Sequence, residues 1–172
     1  MRHTLSILLE NRFGELARIV GLFGARGYNI ESLTVAETLD PRVSRITLVT
    51  SGDDRIIEQL IKQLGKQIRV LSVNDLTVSD HIEREMVLVH VHTETAAVRH
   101  QVLSLANIFR ARVIDVSTGG LIVEATGSRK KVTALLDQLE PLGIQDMVRA
   151  GTLAIVRSAT TANRGRTEAI AV

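Results

Sequence analysis

The chain has no cysteine and no tryptophan, only three phenylalanines and one tyrosine, and two prolines in 172 residues. Without cysteine there are no disulfides and no thiolate metal ligands, so a cytoplasmic setting is expected. With so few aromatic rings, nucleic-acid bases have little to stack on. No apolar run approaches the roughly 18–20 residues that a membrane helix needs. An alternating strand pattern starts at Leu5, so no signal peptide is expected. Charge of one sign is missing too, with 21 Lys and Arg against 19 Asp and Glu. The small excess sits near the end, at Arg149, Arg157, Arg164 and Arg166, too sparse for a nucleic-acid stripe.

What the chain does have is aliphatic material. Hydrophobic residues make up 45% and aromatics 2%, so the core must be built from Val, Ile, Leu and Ala. The length fits one large or two small domains. Leu5, Ile7 and Leu9 alternate as in a half-buried strand, and Leu16, Ile19, Val20 and Phe23 fall on one helical face closed by Gly27. Strands follow at 30–35 and 43–50 around Asp40-Pro41. A helix starting at Asp53 or Asp54 carries Ile57, Leu60, Ile61 and Leu64, and 68–76 is a further strand.

The order βαββαβ then repeats. The second copy runs through a strand at 85–91, a helix at 96–109, a hairpin around Gly119-Gly120, a helix capped by Ser128 and a last strand at 147–156. The expected fold is α+β, two ferredoxin-like βαββαβ sandwiches in tandem. Residues 1–78 form the first domain, 79–157 the second, and 158–172 a loose tail without apolar period. Strands as apolar as Ile7-Leu8-Leu9 want both sheet faces covered, and a second copy of the chain is the simplest cover.

The candidate chemistry is that of binding. Asn11 stands three residues before Gly14 at the start of the first helix, and Asn29 follows that helix. Side-chain amides and free N–H groups at a helix start suit a small zwitterion, with a carboxylate to accept and an ammonium to donate. A strand end and the start of the following strand do not share an edge, so a ligand touching both amides is most simply held between two chains. A side chain at position 14 would fill the ligand's place.

Other constellations are weaker. His90 and His92 project from one face of a strand and His100 is close in sequence, but His100 shares the polar side of its helix with Gln101 and Ser104. No metal site is expected. Gly127-Ser128-Arg129-Lys130-Lys131 lacks the spacing of a phosphate loop and reads as a helix cap with a solvated basic turn. No nucleophile with its base and no paired carboxylates appear, so no catalytic residue is assigned.

The run Leu8-Leu9-Glu10-Asn11, Gly14, then Gly27-Tyr28-Asn29-Ile30-Glu31-Ser32-Leu33-Thr34-Val35-Ala36 resembles the regulatory small subunit of acetolactate synthase. The likeness continues through Asp40-Pro41, Ser44-Arg45, Glu83-Arg84-Glu85, Ile108-Phe109-Arg110 and Ile114-Asp115-Val116. The first domain is similar to ACT domains, which bind amino acids at dimer interfaces. Many of those have Pro before the glycine, where this chain has Phe13.

The resemblance implies a non-catalytic subunit with no cofactor of its own. It would raise the activity of a large subunit that carries thiamine diphosphate, Mg²⁺ and FAD, and confer feedback inhibition by valine. Asn11, Gly14 and Asn29 match the effector positions, with Leu16 and Ile30 as apolar walls. The implied partners are a second copy through the ACT domains, the large subunit and a branched-chain amino acid. No nucleic acid and no membrane are expected. The competing reading is a stand-alone regulator responding to an amino acid or a metal, and it lacks a DNA-reading helix.

Overall fold

The computed structural model describes residues 1–157, and the expected tail at 158–172 lies outside the described residues. The described residues form two compact units, 1–82 together with 152–157, and 83–151.

In the first unit, β1 (Arg2–Glu10), α1 (Glu15–Gly24), β2 (Ile30–Glu37), β3 (Val43–Ser51), α2 (Asp54–Leu64) and β4 (Val70–Asp75) give a sheet of order β2-β3-β1-β4. All its pairs are antiparallel, with Leu5 opposite Leu48 and Ile7 opposite Ile46. These side chains share one face with Leu9 and meet Ile19 and Phe23 of α1 and Ile57, Leu60 and Leu64 of α2. Phe23 also stands edge-on to Tyr28, with ring centroids 6.5 Å apart. The helical period is therefore right but its inner face is turned from the expected one, running through Glu15, Ile19, Leu22 and Phe23. Ile19 and Phe23 are buried, whereas Leu16 and Val20 are exposed. Leu22 packs against the core in their place, so the buried stripe is turned toward Leu22 and this helix is also apolar on its outer side.

The second unit repeats the order through α3 (Ala96–Ile108), β6 (Arg112–Val116), β7 (Gly120–Gly127), α4 (Arg129–Leu139) and β8 (Ile144–Arg149). They join β5 (His81–His92) in the strand order β6-β7-β5-β8. Val87, Val89 and Val91 face Ala125, Val123 and Leu121 across the ladder and pack beneath Val102, Ala106, Val132, Leu135 and Leu139. One difference from expectation lies in the join, since β5 begins at His81 and the polar segment before Glu85 is already strand.

The other difference is the last strand. The expected 147–156 strand is two pieces, β8 and β9 (Leu153–Val156), parted at Ala150-Gly151-Thr152. There the Ala150 N–H reaches the Met86 carbonyl, while the buried Thr152 gives its N–H to Ser32 Oγ at 2.8 Å. Ser32 lies on the face of the first sheet opposite the helices, level with Val49. The chain thus returns to this face, where Thr4, Ser6, Thr47 and Val49 are buried. A second copy is not needed to cover that part of it.

Candidate ligand-binding site

The first helix starts differently from the other three. Asp53, Thr95 and Ser128 each cap α2, α3 and α4 with a side-chain oxygen that accepts from Arg55, Val98 and Lys131 N–H respectively. At the start of α1 stands Gly14, in the left-handed region at φ 85°, with no side-chain cap. A Cβ built there would meet nothing within 4 Å. The position is thus open in space but suited to glycine by backbone conformation. Its neighbour Glu15 is only 4% exposed and is paired with Arg69 at 3.1 Å, so this helix start carries a balanced charge.

Asn11 is held in a definite orientation. Its backbone N–H donates to the Arg42 carbonyl, and its Nδ2 donates to Glu37 Oε1 at 3.0 Å and to the Pro41 carbonyl at 2.9 Å. Both partners are acceptors, so the nitrogen must face them and the carbonyl oxygen Oδ1 is left for an external donor. An ammonium group fits that oxygen and a carboxylate does not. A carboxylate suits the N–H groups at the start of α1 other than that of Glu15, which donates to the Arg12 carbonyl at 3.3 Å.

Asn29 lies beyond the far end of the same helix. Its backbone carbonyl accepts from Thr50 Oγ1 at 2.6 Å, and its exposed amide has no hydrogen-bond partner among the described residues. The ten residues of α1 rise about 15 Å, so Gly14 and Asn29 of one chain stand well apart. Leu16 is on the exposed side of α1 near Gly14, and Ile30 packs partly buried against the core near Asn29. The structure therefore groups Asn11, Gly14 and Leu16 at one end of the helix and Asn29 and Ile30 at the other. A cavity of about 180 Å³ lies on the opposite sheet face, lined by Thr34, Ala36, Arg45, Thr47 and Leu153 among others, and includes none of the five.

Sequence reasoning missed Glu37 and Pro41, the partners that orient Asn11, and Arg69, which neutralises Glu15. Each comes from a distant part of the chain, and no local pattern marks it. In the β2–β3 turn, hydrogen bonds from Arg42 hold the Asp40 carboxyl at a pKa of about 2. Among the described residues no three His, Asp or Glu side chains are grouped as a metal site would need. His92 is occupied by Glu94 at 2.8 Å and Gln145 at 3.0 Å. The His90 ring lies over Gly120, where an added Cβ would come within 2.5 Å of Nε2. That contact explains a hairpin glycine the sequence left as an ordinary turn residue.

Residues 5–72 match the family described as the AHAS small subunit-like ACT domain, and residues 84–158 match the small subunit of acetolactate synthase. The chain belongs to the acetolactate synthase small-subunit family. It is 42% identical to the acetolactate synthase small subunit of Aquifex aeolicus over 156 residues, covering 91% of this chain and 81% of that one. It is 43% identical to that of Mycolicibacterium smegmatis, over 90% and 91% of the two chains. The crystal structure of the small subunit from Thermotoga maritima superposes with a TM-score of 0.84 at 36% identity, covering 91% of this chain and 98% of that one. Tandem ferredoxin-like units are therefore the family fold, and the first unit is its ACT domain. Membership makes this small subunit a regulatory chain that associates with a catalytic large subunit. Among the described residues no helix is long and apolar enough to cross a membrane.

Proposed function

We propose that this small subunit is non-catalytic by itself. It raises the activity of a thiamine-diphosphate-dependent large subunit and confers feedback inhibition by a branched-chain amino acid, valine first. The effector sits between two ACT domains. Asn11 Oδ1 and the α1 N-terminus of one copy take its ammonium and carboxylate, Asn29 of the other copy closes the site, and Leu16 and Ile30 supply apolar walls. Thiamine diphosphate, Mg²⁺ and FAD belong to the large subunit in this reading.

The observation that carries it is the separation of Gly14 from Asn29 by the length of α1. One small ligand cannot bridge both within a single chain. A two-fold pair of chains can bring the start of one helix to the end of its mate. The exposed face of α1 supports such a pair, because Leu16, Ala17, Val20, Gly21 and Gly24 give an apolar strip with small residues that allow close approach. The edge strand β2 lies free beside it.

The test is calorimetric titration of the purified chain with valine, leucine, isoleucine and serine, followed by assay of pyruvate condensation with and without the large subunit. Saturable valine binding, no turnover by the chain alone and a valine-sensitive rise in large-subunit activity are expected. Turnover by the chain alone, or no effect on the large subunit, overturns the reading.

A further inference from the structure

Three loops meet at one end of the ACT domain. The β1–α1 loop is tied to the β2–β3 hairpin by the Asn11 N–H on the Arg42 carbonyl at 2.7 Å, and to the α2–β4 loop by the Glu10 N–H on the Arg69 carbonyl at 2.9 Å. Each loop carries one large apolar side chain that takes no part in the core. Phe13 is 104% exposed, Leu39 107% and Ile68 96%. Single exposed apolar residues are common, but three fully exposed ones on adjoining loops at one end are not explained by folding. Their removal costs the fold no burial, and their presence costs solubility.

We infer that this end of the ACT domain is the surface on which the catalytic large subunit docks, with Phe13, Leu39 and Ile68 entering apolar pockets of that partner. The inference rests on the proposed reading of this chain as the large subunit's activator. Shape decides between the partner and a second copy. A two-fold contact between identical patches must be self-complementary, and three projecting knobs facing three projecting knobs bury little. A second copy also has a better place, on the α1 strip and the β2 edge. A protein with pockets suits the knobs, because interface energy concentrates in a few anchors that fill desolvated holes. The small-subunit family supplies that protein.

The placement also couples the two sites. Phe13 directly precedes Gly14 in the loop proposed to hold the effector, and Asn11 binds the hairpin that carries Leu39. A ligand that shifts this loop moves two of the three anchors together.

The experiment compares the full chain with a Phe13→Ser, Leu39→Ser, Ile68→Ser triple variant and a Leu39→Ser single variant. Large-subunit affinity, dimer mass by sedimentation and valine titration are measured for each. The triple variant is expected to lose at least 100-fold in affinity for the large subunit, and the single variant about ten-fold. Both should keep the wild-type melting temperature and dimer mass. Unchanged large-subunit affinity in the triple variant, with wild type binding normally, overturns the inference. So does a triple variant that falls apart to monomers, which would make this end a contact between copies. If the wild-type chain itself neither binds nor activates the large subunit, the proposed function fails first, which is a separate result.

Discussion

The two units share a topology and differ in how their first helix begins. In the second unit Thr95 caps α3, its Oγ1 accepting from the Val98 N–H at 3.2 Å. In the first unit the same place in the βαββαβ order is held by Gly14, which cannot cap. One helix start is closed by its own side chain, and the other has no side-chain cap, which is where the proposed effector would bind. The helix ends differ as well. Gly27, at φ 69°, follows α1, whereas Arg110 takes the left-handed conformation after α3 at φ 50°. Repetition of the fold has thus kept the architecture while the two helix starts diverged, and in the proposed reading the binding chemistry belongs to the first copy alone.

The change with the largest expected effect closes the open helix. Gly14→Asp should abolish valine binding, because a carboxylate there occupies the ligand's place and repels its charge. The left-handed backbone costs the variant about 1 kcal/mol, moderated because Asp is among the residues that visit this region, so the domain should still fold. Calorimetry and a melting curve read the two effects separately. Retained valine binding would show that Gly14 does not border the effector.

Asn29→Ala comes next, with a loss of roughly 1–3 kcal/mol in valine affinity from the unpaired polar group. Mixed dimers sharpen this test. One chain with Gly14→Asp paired with one carrying Asn29→Ala should retain one site per dimer. A double variant paired with wild type should retain no site of full affinity. The reverse stoichiometry would place the whole site within one chain.

On the capped side, Thr95→Ala should destabilise the second unit by about 1 kcal/mol, the usual loss of a helix N-cap. Valine affinity should not change, and a change would mean that the two helix starts are not independent. Arg110→Gly should stabilise the same unit by up to about 1 kcal/mol, since glycine takes the left-handed conformation without steric cost. A lowered melting temperature would show that the Arg110 side chain contributes more than its backbone costs. The smallest effect is at Asp40. Its folded pKa of about 2 lies below the ordinary value of 3.8, so the Asp40–Arg42 contribution is present above that ordinary value and lost as pH falls through about 2. An NMR titration of its carboxyl carbon should find the midpoint there in the wild type, and an Arg42→Ala variant should return it toward the ordinary range.

Much of the architecture is legible in the chain. Alternation over Leu5–Leu9 and the stripe Ile57, Leu60 and Leu64 gave the right elements because a buried strand face and a buried helix face leave direct periods. The cap at Ser128 was legible for the same local reason, and the start of α2 was narrowed to Asp53 or Asp54, of which Asp53 is the cap. The expected 147–156 strand was not, because the break at Thr152 depends on an N–H going to Ser32, 120 positions earlier. Ile68 reads as a strand residue by hydrophobicity, yet it projects from a loop, since β4 starts only at Val70.

The sequence by itself determined the chemical group at each candidate site residue: an amide at Asn11, an amide at Asn29, and no side chain at Gly14. Those are covalent facts that folding cannot alter. Only the tertiary structure decided which atom each offers and how far apart they stand. Asn11 presents its oxygen because Glu37 and Pro41 claim both its N–H bonds, and neither is near it in sequence. Gly14 and Asn29 are held apart because a ten-residue helix is rigid and straight over its length. Local pattern specifies chemical identity, whereas orientation and separation depend on contacts between residues that meet only when the chain has folded.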